Sequence, residues 1–132
     1  MKPGLTSFDI SGRAMAAQLV RMNAIASNLA NAGSVAGSEA GAYRALRPVF
    51  ATHYDGQAAT VDVASMARTG TPEKKLDPGH PLADAQGNVW VAAVDPNQEM
   101  VEMVETARAY ANNVEVLSTA RSLAIDTLRI GK

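Results

Sequence analysis

A chain of 132 residues, 47% hydrophobic and 19% charged, has the size and composition of one soluble domain. Its net charge of -1, with acidic and basic residues interspersed, offers no electrostatic footprint for nucleic acid or an anionic membrane, and zero cysteines exclude disulfides, thiolate chemistry and cysteine-ligated zinc. No apolar run approaches the roughly 18 residues of a membrane-spanning helix, and the start Met1-Lys2-Pro3-Gly4-Leu5 lacks the apolar centre of a cleaved secretory signal.

The first element reads as a helix. Phe8, Met15, Leu19, Met22, Ala26 and Leu29 recur at alternating three- and four-residue steps, with Gly12 the one gap in the seam. Ser7 or Asp9 stands where a cap is expected, and Asn31-Ala32-Gly33 marks the end, because glycine tolerates the left-handed conformation that closes helices. This predicts a helix of about 40 Å over residues 7–32. Residues 33–42 are glycine, alanine and serine for the most part, and read as a flexible loop that orders against a neighbour.

From Tyr43 the texture changes to β-branched and aromatic runs over 43–52, 59–66 and 88–94. Asp55-Gly56, Thr69-Gly70-Thr71-Pro72, Asp77-Pro78-Gly79 and Gln86-Gly87-Asn88 separate them as turns, so residues 43–95 are expected to form a small antiparallel module with a thin core. Asp95-Pro96-Asn97 then starts a second helix, with Asp95 or Asn97 as cap and Glu99, Glu102 and Glu105 near its positive end. Its seam is Met100, Met103, Ala107, Tyr110, Val114, Leu117, Ala124 and Leu128, interrupted by Arg121 and widened on one flank by Val104, Ala111 and Ile125. That helix would be nearly 50 Å long. The fold class is therefore α+β: long N- and C-terminal helices forming an elongated coiled-coil-like pair, with a small antiparallel β-rich module between them. Stripes of this length bury little inside one small subunit and call for partners.

Signs of catalysis are missing. His53 and His80 lack metal-ligand spacing with any strong ligand, and Asp77 and Asp84, which flank His80, sit among proline and glycine where aspartate caps turns. Phosphate loop, nucleophile elbow and zincin helix are all lacking. The expectation is a protein that is no enzyme, with no catalytic residue, cofactor, metal or small-molecule substrate. The polar residues inside the helices are more informative. Asn23, Asn28 and Asn31 lie in or beside the first stripe, and Asn112 and Asn113 interrupt the second. Asparagine is a poor helix former, so it is either exposed or hydrogen-bonded across helices to fix register, with Asn28 and Asn113 the best candidates for the second role. Arg121 either runs its stem past the seam to solvent or pairs with a carboxylate of another subunit. Met15, Met22, Met100 and Met103 are either plain core or suited to contacts that repeat in slightly different environments.

Asn23-Ala24-Ile25-Ala26-Ser27-Asn28-Leu29-Ala30-Asn31 resembles the amino-terminal signature shared by rod and hook proteins of the bacterial flagellum. Glu99-Met100-Val101, Ala107-Arg108-Ala109-Tyr110, Asn113-Val114-Glu115-Val116 and Leu128-Arg129-Ile130-Gly131 resemble the carboxy-terminal signature of the same group. Tyr43-Arg44 and Pro81-Leu82-Ala83-Asp84-Ala85-Gln86-Gly87-Asn88-Val89 are similar to its short proximal-rod members, so the resemblance covers essentially the whole chain.

The resemblance implies a structural subunit of the proximal rod. Residues 1–32 and 96–132 would be the helices of the rod core, stacked as a tube around an export channel, and residues 43–95 the outer module. Its partners would be copies of itself, other rod proteins, and the membrane-ring and export-gate end of the basal body. It would reach the periplasmic space by flagellar export without a cleaved signal peptide. The expected assembly residues are Phe8, Met15, Leu19, Met22, Asn23, Asn28, Leu29, Asn31, Met100, Met103, Tyr110, Asn113, Val114, Leu117, Arg121 and Leu128, with a charge at Leu117 expected to block incorporation. Another short rod subunit, or a coiled-coil adaptor that does not polymerise, remains open, because heptads alone do not count partners.

Overall fold

The computed structural model describes residues 4–132; Met1, Lys2 and Pro3, part of the segment read above for a secretory signal and of the span 1–32, lie outside the described residues. Helix α1 runs Ser7–Asn31 and helix α2 runs Pro96–Ile130. The cap of α1 is neither Ser7 nor Asp9 but Thr6, whose hydroxyl accepts from the Asp9 backbone N–H at 3.2 Å while the Asp9 carboxylate accepts from the Thr6 N–H at 2.9 Å. This reciprocal box satisfies two donors that the first turn leaves free. Asp95 caps α2, accepting from Asn97 N–H at 3.0 Å, and Pro96 occupies the first helical position, where a missing N–H costs nothing. Gly33, at φ 76°, turns the chain out of α1.

Five strands lie between the helices. β1 (Val35–Ala36), β5 (Asn88–Val91) and β4 (Glu73–Leu76) form a three-stranded antiparallel sheet in the order β1-β5-β4. β2 (Ala45–Asp55) and β3 (Ala58–Thr69) form a separate long hairpin. The antiparallel region between the helices thus comprises a three-stranded sheet and this hairpin. Its turn, Gly56-Gln57, carries positive φ at the first central residue only, the pattern of a primed hairpin turn that matches strand twist. Val49 pairs with Ser65 and Phe50 with Val63, which leaves Ala64 as a bulge.

Two strands depart from expectation. β1 arises within the stretch read as loop, held by Val35 and Ala36 against Val91 and Trp90 and by Ala92 N–H on Ser34 C=O at 2.9 Å. β4, Glu-Lys-Lys-Leu, is exposed along its whole length, so it carries no alternation to read.

The helices pack side by side and antiparallel. Asn28 of α1 meets Glu99 near the start of α2, while Ser7 lies in a groove with Val116, Thr119 and Leu123. The hairpin also packs against α1. Among the described residues the buried apolar core is small: Ala17, Ala24, Ile25, Ala42, Ala45, Val89 and Ala92, five of the seven being alanine. Much of what joins the elements is therefore polar.

Candidate assembly interface

A polar junction lies where α1, β2 and α2 meet. Asn28 is fully buried, and its amide makes four hydrogen bonds. It donates to Leu46 C=O at 3.0 Å and to Glu99 Oε2 at 3.0 Å, and accepts from Leu46 N–H at 2.7 Å and from the Tyr43 hydroxyl at 2.9 Å. Glu99 is 1% exposed. Arg47 of β2 grips it with both guanidinium arms and reaches Glu102 at 3.2 Å, while Arg21 of α1 lies 3.7 Å from Glu102. Burial opposes the charge on Arg47, but the hydrogen bond to Glu99 and the two carboxylates outweigh it and raise its pKa above the ordinary arginine value. One cluster thus ties α1, β2 and α2 together.

On α2, Glu99, Thr106 and, half-buried, Asn113 and Ala120 face the rest of the subunit. Met103, Tyr110 and Leu117 form the half-buried ridge beside them. The next column outward is Met100, Val104, Ala107, Ala111 and Val114, all exposed, Met100 by 59%. The apolar periodicity and the intrasubunit contact thus share one ridge and diverge by one residue, about 100° around the helix. α1 behaves alike: Ser11, Ala17, Ala24, Ile25 and Asn28 are buried, Met15, Met22 and Leu29 are half-buried, and Phe8, Leu19, Asn23 and Ala26 are exposed. Beyond Ala120 every residue of α2 is exposed, over a last stretch of ten helical residues, about 15 Å. Arg121 is exposed there, as are Leu123, Ile125, Leu128 (72%) and Ile130 (87%).

The asparagines divide. Asn28 does reach across helices, but inside its own subunit. Asn31 and Asn113 fold back on their own helices, donating to Ser27 C=O at 2.8 Å and Ala109 C=O at 3.0 Å. Asn112 is exposed. Arg47, the hub of the junction, was not singled out in the sequence. A lone arginine in a strand carries no signal of partners some fifty residues away.

The residues weighed for chemistry sit apart. His53 Nε2 lies 3.8 Å from Asp62, which also pairs with Arg13 at 3.1 Å, tying the hairpin to α1. His80 Nδ1 accepts from Leu82 N–H, and Asp84 accepts from Gln86 and Asn88 N–H, as turn residues do. Among the described residues no group of three or more histidines and acids is placed to hold a metal, and no helix is long and apolar enough to cross a membrane.

Residues 8–37 match the family model described as flagella basal body rod protein, and residues 85–130 match that described as flagellar basal body rod FlgEFG protein C-terminal. Over 131 residues the chain is 46% identical to the flagellar basal-body rod protein FlgC of Salmonella typhimurium, covering 97% of this chain and 98% of the relative. The chain belongs to the FlgC family of flagellar basal-body rod proteins. Identity to FlgC of Escherichia coli O6:H1 is 45% over the same coverage, and to FlgC of Aquifex aeolicus 33% over 120 residues, 89% of each chain. The two family models fall on the terminal parts of this FlgC-family chain: one takes in α1 and β1, the other β5 and α2.

Proposed function

We propose that this chain is a structural subunit of the flagellar basal-body rod, and that it polymerises through the outward columns of α1 and α2 into a proximal-rod tube around the export channel. Its partners are further copies of itself and other rod proteins, with the membrane-ring and export-gate end of the basal body at its base. It acts in the periplasmic space after export without a cleaved signal peptide, and it passes torque through coiled-coil-like helix contacts. The assembly residues are those already named on the open and half-open faces: Phe8, Leu19 and Asn23 with Met15, Met22 and Leu29 on α1, and Met100, Val114, Arg121 and Leu128 with the ridge Met103, Tyr110 and Leu117 on α2.

The observation that carries this reading is uncovered surface. The chain exposes 8790 Å², about a third more than the ~6,600 Å² of a compact monomer of this mass. Among the described residues, nine of the eighteen exposed large apolar side chains lie on α2 alone. Apolar surface on that scale marks interaction sites. Each such side chain, once fully buried, contributes about 1.5–3 kcal/mol, so many parallel seams supply rigidity that no single bond does.

Leu117 belongs to the half-buried ridge, so a charge there would also disturb folding; Leu128, 72% exposed, is the cleaner site. Cells whose only copy carries Leu128→Lys should export the subunit, leave it out of the rod and fail to swim. Motile cells with complete rods containing Leu128→Lys would refute the proposal.

A further inference from the structure

We propose that Asn28, Arg47 and Glu99 act as a rotational lock: they fix the turn of α2 about its own axis, and so keep the column Met100, Val104 and Val114 outward. The polymerising role of that column rests on the function proposed above; the rotation itself does not.

The reason lies in what faces what. The column of α2 turned inward is Glu99, Thr106, Asn113 and Ala120, polar or small, and Glu99 and Thr106 are almost fully buried. The column one residue on is apolar, yet Met100 is 59% and Val104 54% exposed. Apolar burial alone would turn α2 by about one residue, bringing Met100, Val104 and Val114 against α1 and sending Thr106 outward. The subunit would then consume its own outer seam.

Three features oppose that turn. Glu99 is held by groups on two other elements, Arg47 of β2 and Asn28 of α1, so rotating α2 would separate a buried carboxylate from both. Asn28 cannot follow, because its amide is also anchored to both backbone groups of Leu46. Glu102, one turn along, repeats the arrangement with Arg47 and Arg21. A charge network of this kind discriminates between rotational states, which a contact between aliphatic faces does poorly.

The absence of cysteine makes the test direct, since an introduced thiol is the only one in the chain. Val104→Cys and Thr106→Cys are each placed in the parent protein and in a triple variant, Asn28→Leu with Arg47→Leu and Glu99→Leu, and maleimide labelling rates are measured on the full-length subunit. In the parent, Val104→Cys should label at least tenfold faster than Thr106→Cys; in the triple variant the ratio should invert. An unchanged ratio overturns the lock. So do two equally fast thiols in either background, which would mean that the cluster only holds the helices together. Should the triple variant lose its helical circular dichroism, Glu99→Gln, which keeps the shape and removes the charge, is read in the same way: a ratio moved toward inversion supports the lock, and a parental ratio overturns it. Rod incorporation is scored separately. An inverted ratio in a variant that still builds rods refutes the outward column as the polymerising face and leaves the lock standing.

Discussion

At one end of the helix pair, Asn28, Arg47 and Glu99 meet around a carboxylate that is 1% exposed; at the other, α2 runs ten helical residues past Ala120 with each of them in solvent. The first end is satisfied internally: each polar group of the Asn28 amide is used, and the Glu99 charge is matched by Arg47. The second end has apolar side chains and nothing to set them against. The two ends teach that specificity and affinity are supplied by different residues here. Directional polar contacts decide how the subunit is arranged, and undirected apolar surface is left over for neighbours.

If the clasped end sets the arrangement, breaking it should produce the largest loss of stability. Arg47→Leu strands the Glu99 carboxylate without its counter-charge, and should cost about 3–5 kcal/mol, read as a fall in the urea midpoint with an unchanged slope. A loss under 1 kcal/mol would mean that Glu99 finds water, and the contrast between the ends would dissolve. Asn28→Ala removes four hydrogen bonds but no charge, leaving the Leu46 backbone groups unpaired, and should cost about 2–3 kcal/mol.

How much of this contrast is legible in the sequence depends on whether its cause is local. Both helices are, since an apolar period of 3.5, the Asp95 cap of α2 and Asn31-Ala32-Gly33 all lie within a few residues of what they control, although the α1 cap falls on Thr6, one residue before the first expected candidate. The hairpin is too, although it extends to Asp55 and Thr69, past the apolar runs, because backbone pairing persists where side chains are exposed. The junction is not legible. Asn28 and Glu99 are 71 residues apart, and a spacing of that size has no periodicity to detect. Periodicity also says which face of α2 wants company and not whose. The apolar column therefore marks the outer face, while the inner face is chosen by Glu99 and Thr106, which look like ordinary surface residues in the sequence.

Smaller effects sharpen the picture at the start of α1, which lies toward the open end. Thr6→Ala removes the cap and should cost about 1 kcal/mol by thermal or urea unfolding. Hydrogen bonds from the Thr6 side chain and then its backbone N–H hold the Asp9 carboxyl below its ordinary pKa of 3.8. A group whose pKa is depressed by folding stabilises above its unfolded value, and that contribution is lost as the pH falls through the folded value. The gap in melting temperature between the parent and Asp9→Asn should therefore be present at neutral pH and close as the pH drops below 3.8. A gap that is constant down through that range would mean that the box does not form in solution.

The smallest effect is the most telling. Leu128 is 72% exposed, in a stretch of α2 that is exposed throughout, so it has little burial to lose. Lysine there also keeps helix propensity and places a positive charge near the negative end of the helix dipole. Leu128→Lys should accordingly leave the unfolding free energy of the isolated subunit within about 0.5 kcal/mol of the parent. A drop of 2 kcal/mol would place Leu128 against its own chain in solution, by a bend of α2 back along the subunit. The open end would then be closed in the free protein and freed only at assembly, and polymerisation would have to compete with the subunit's own fold for the same side chain.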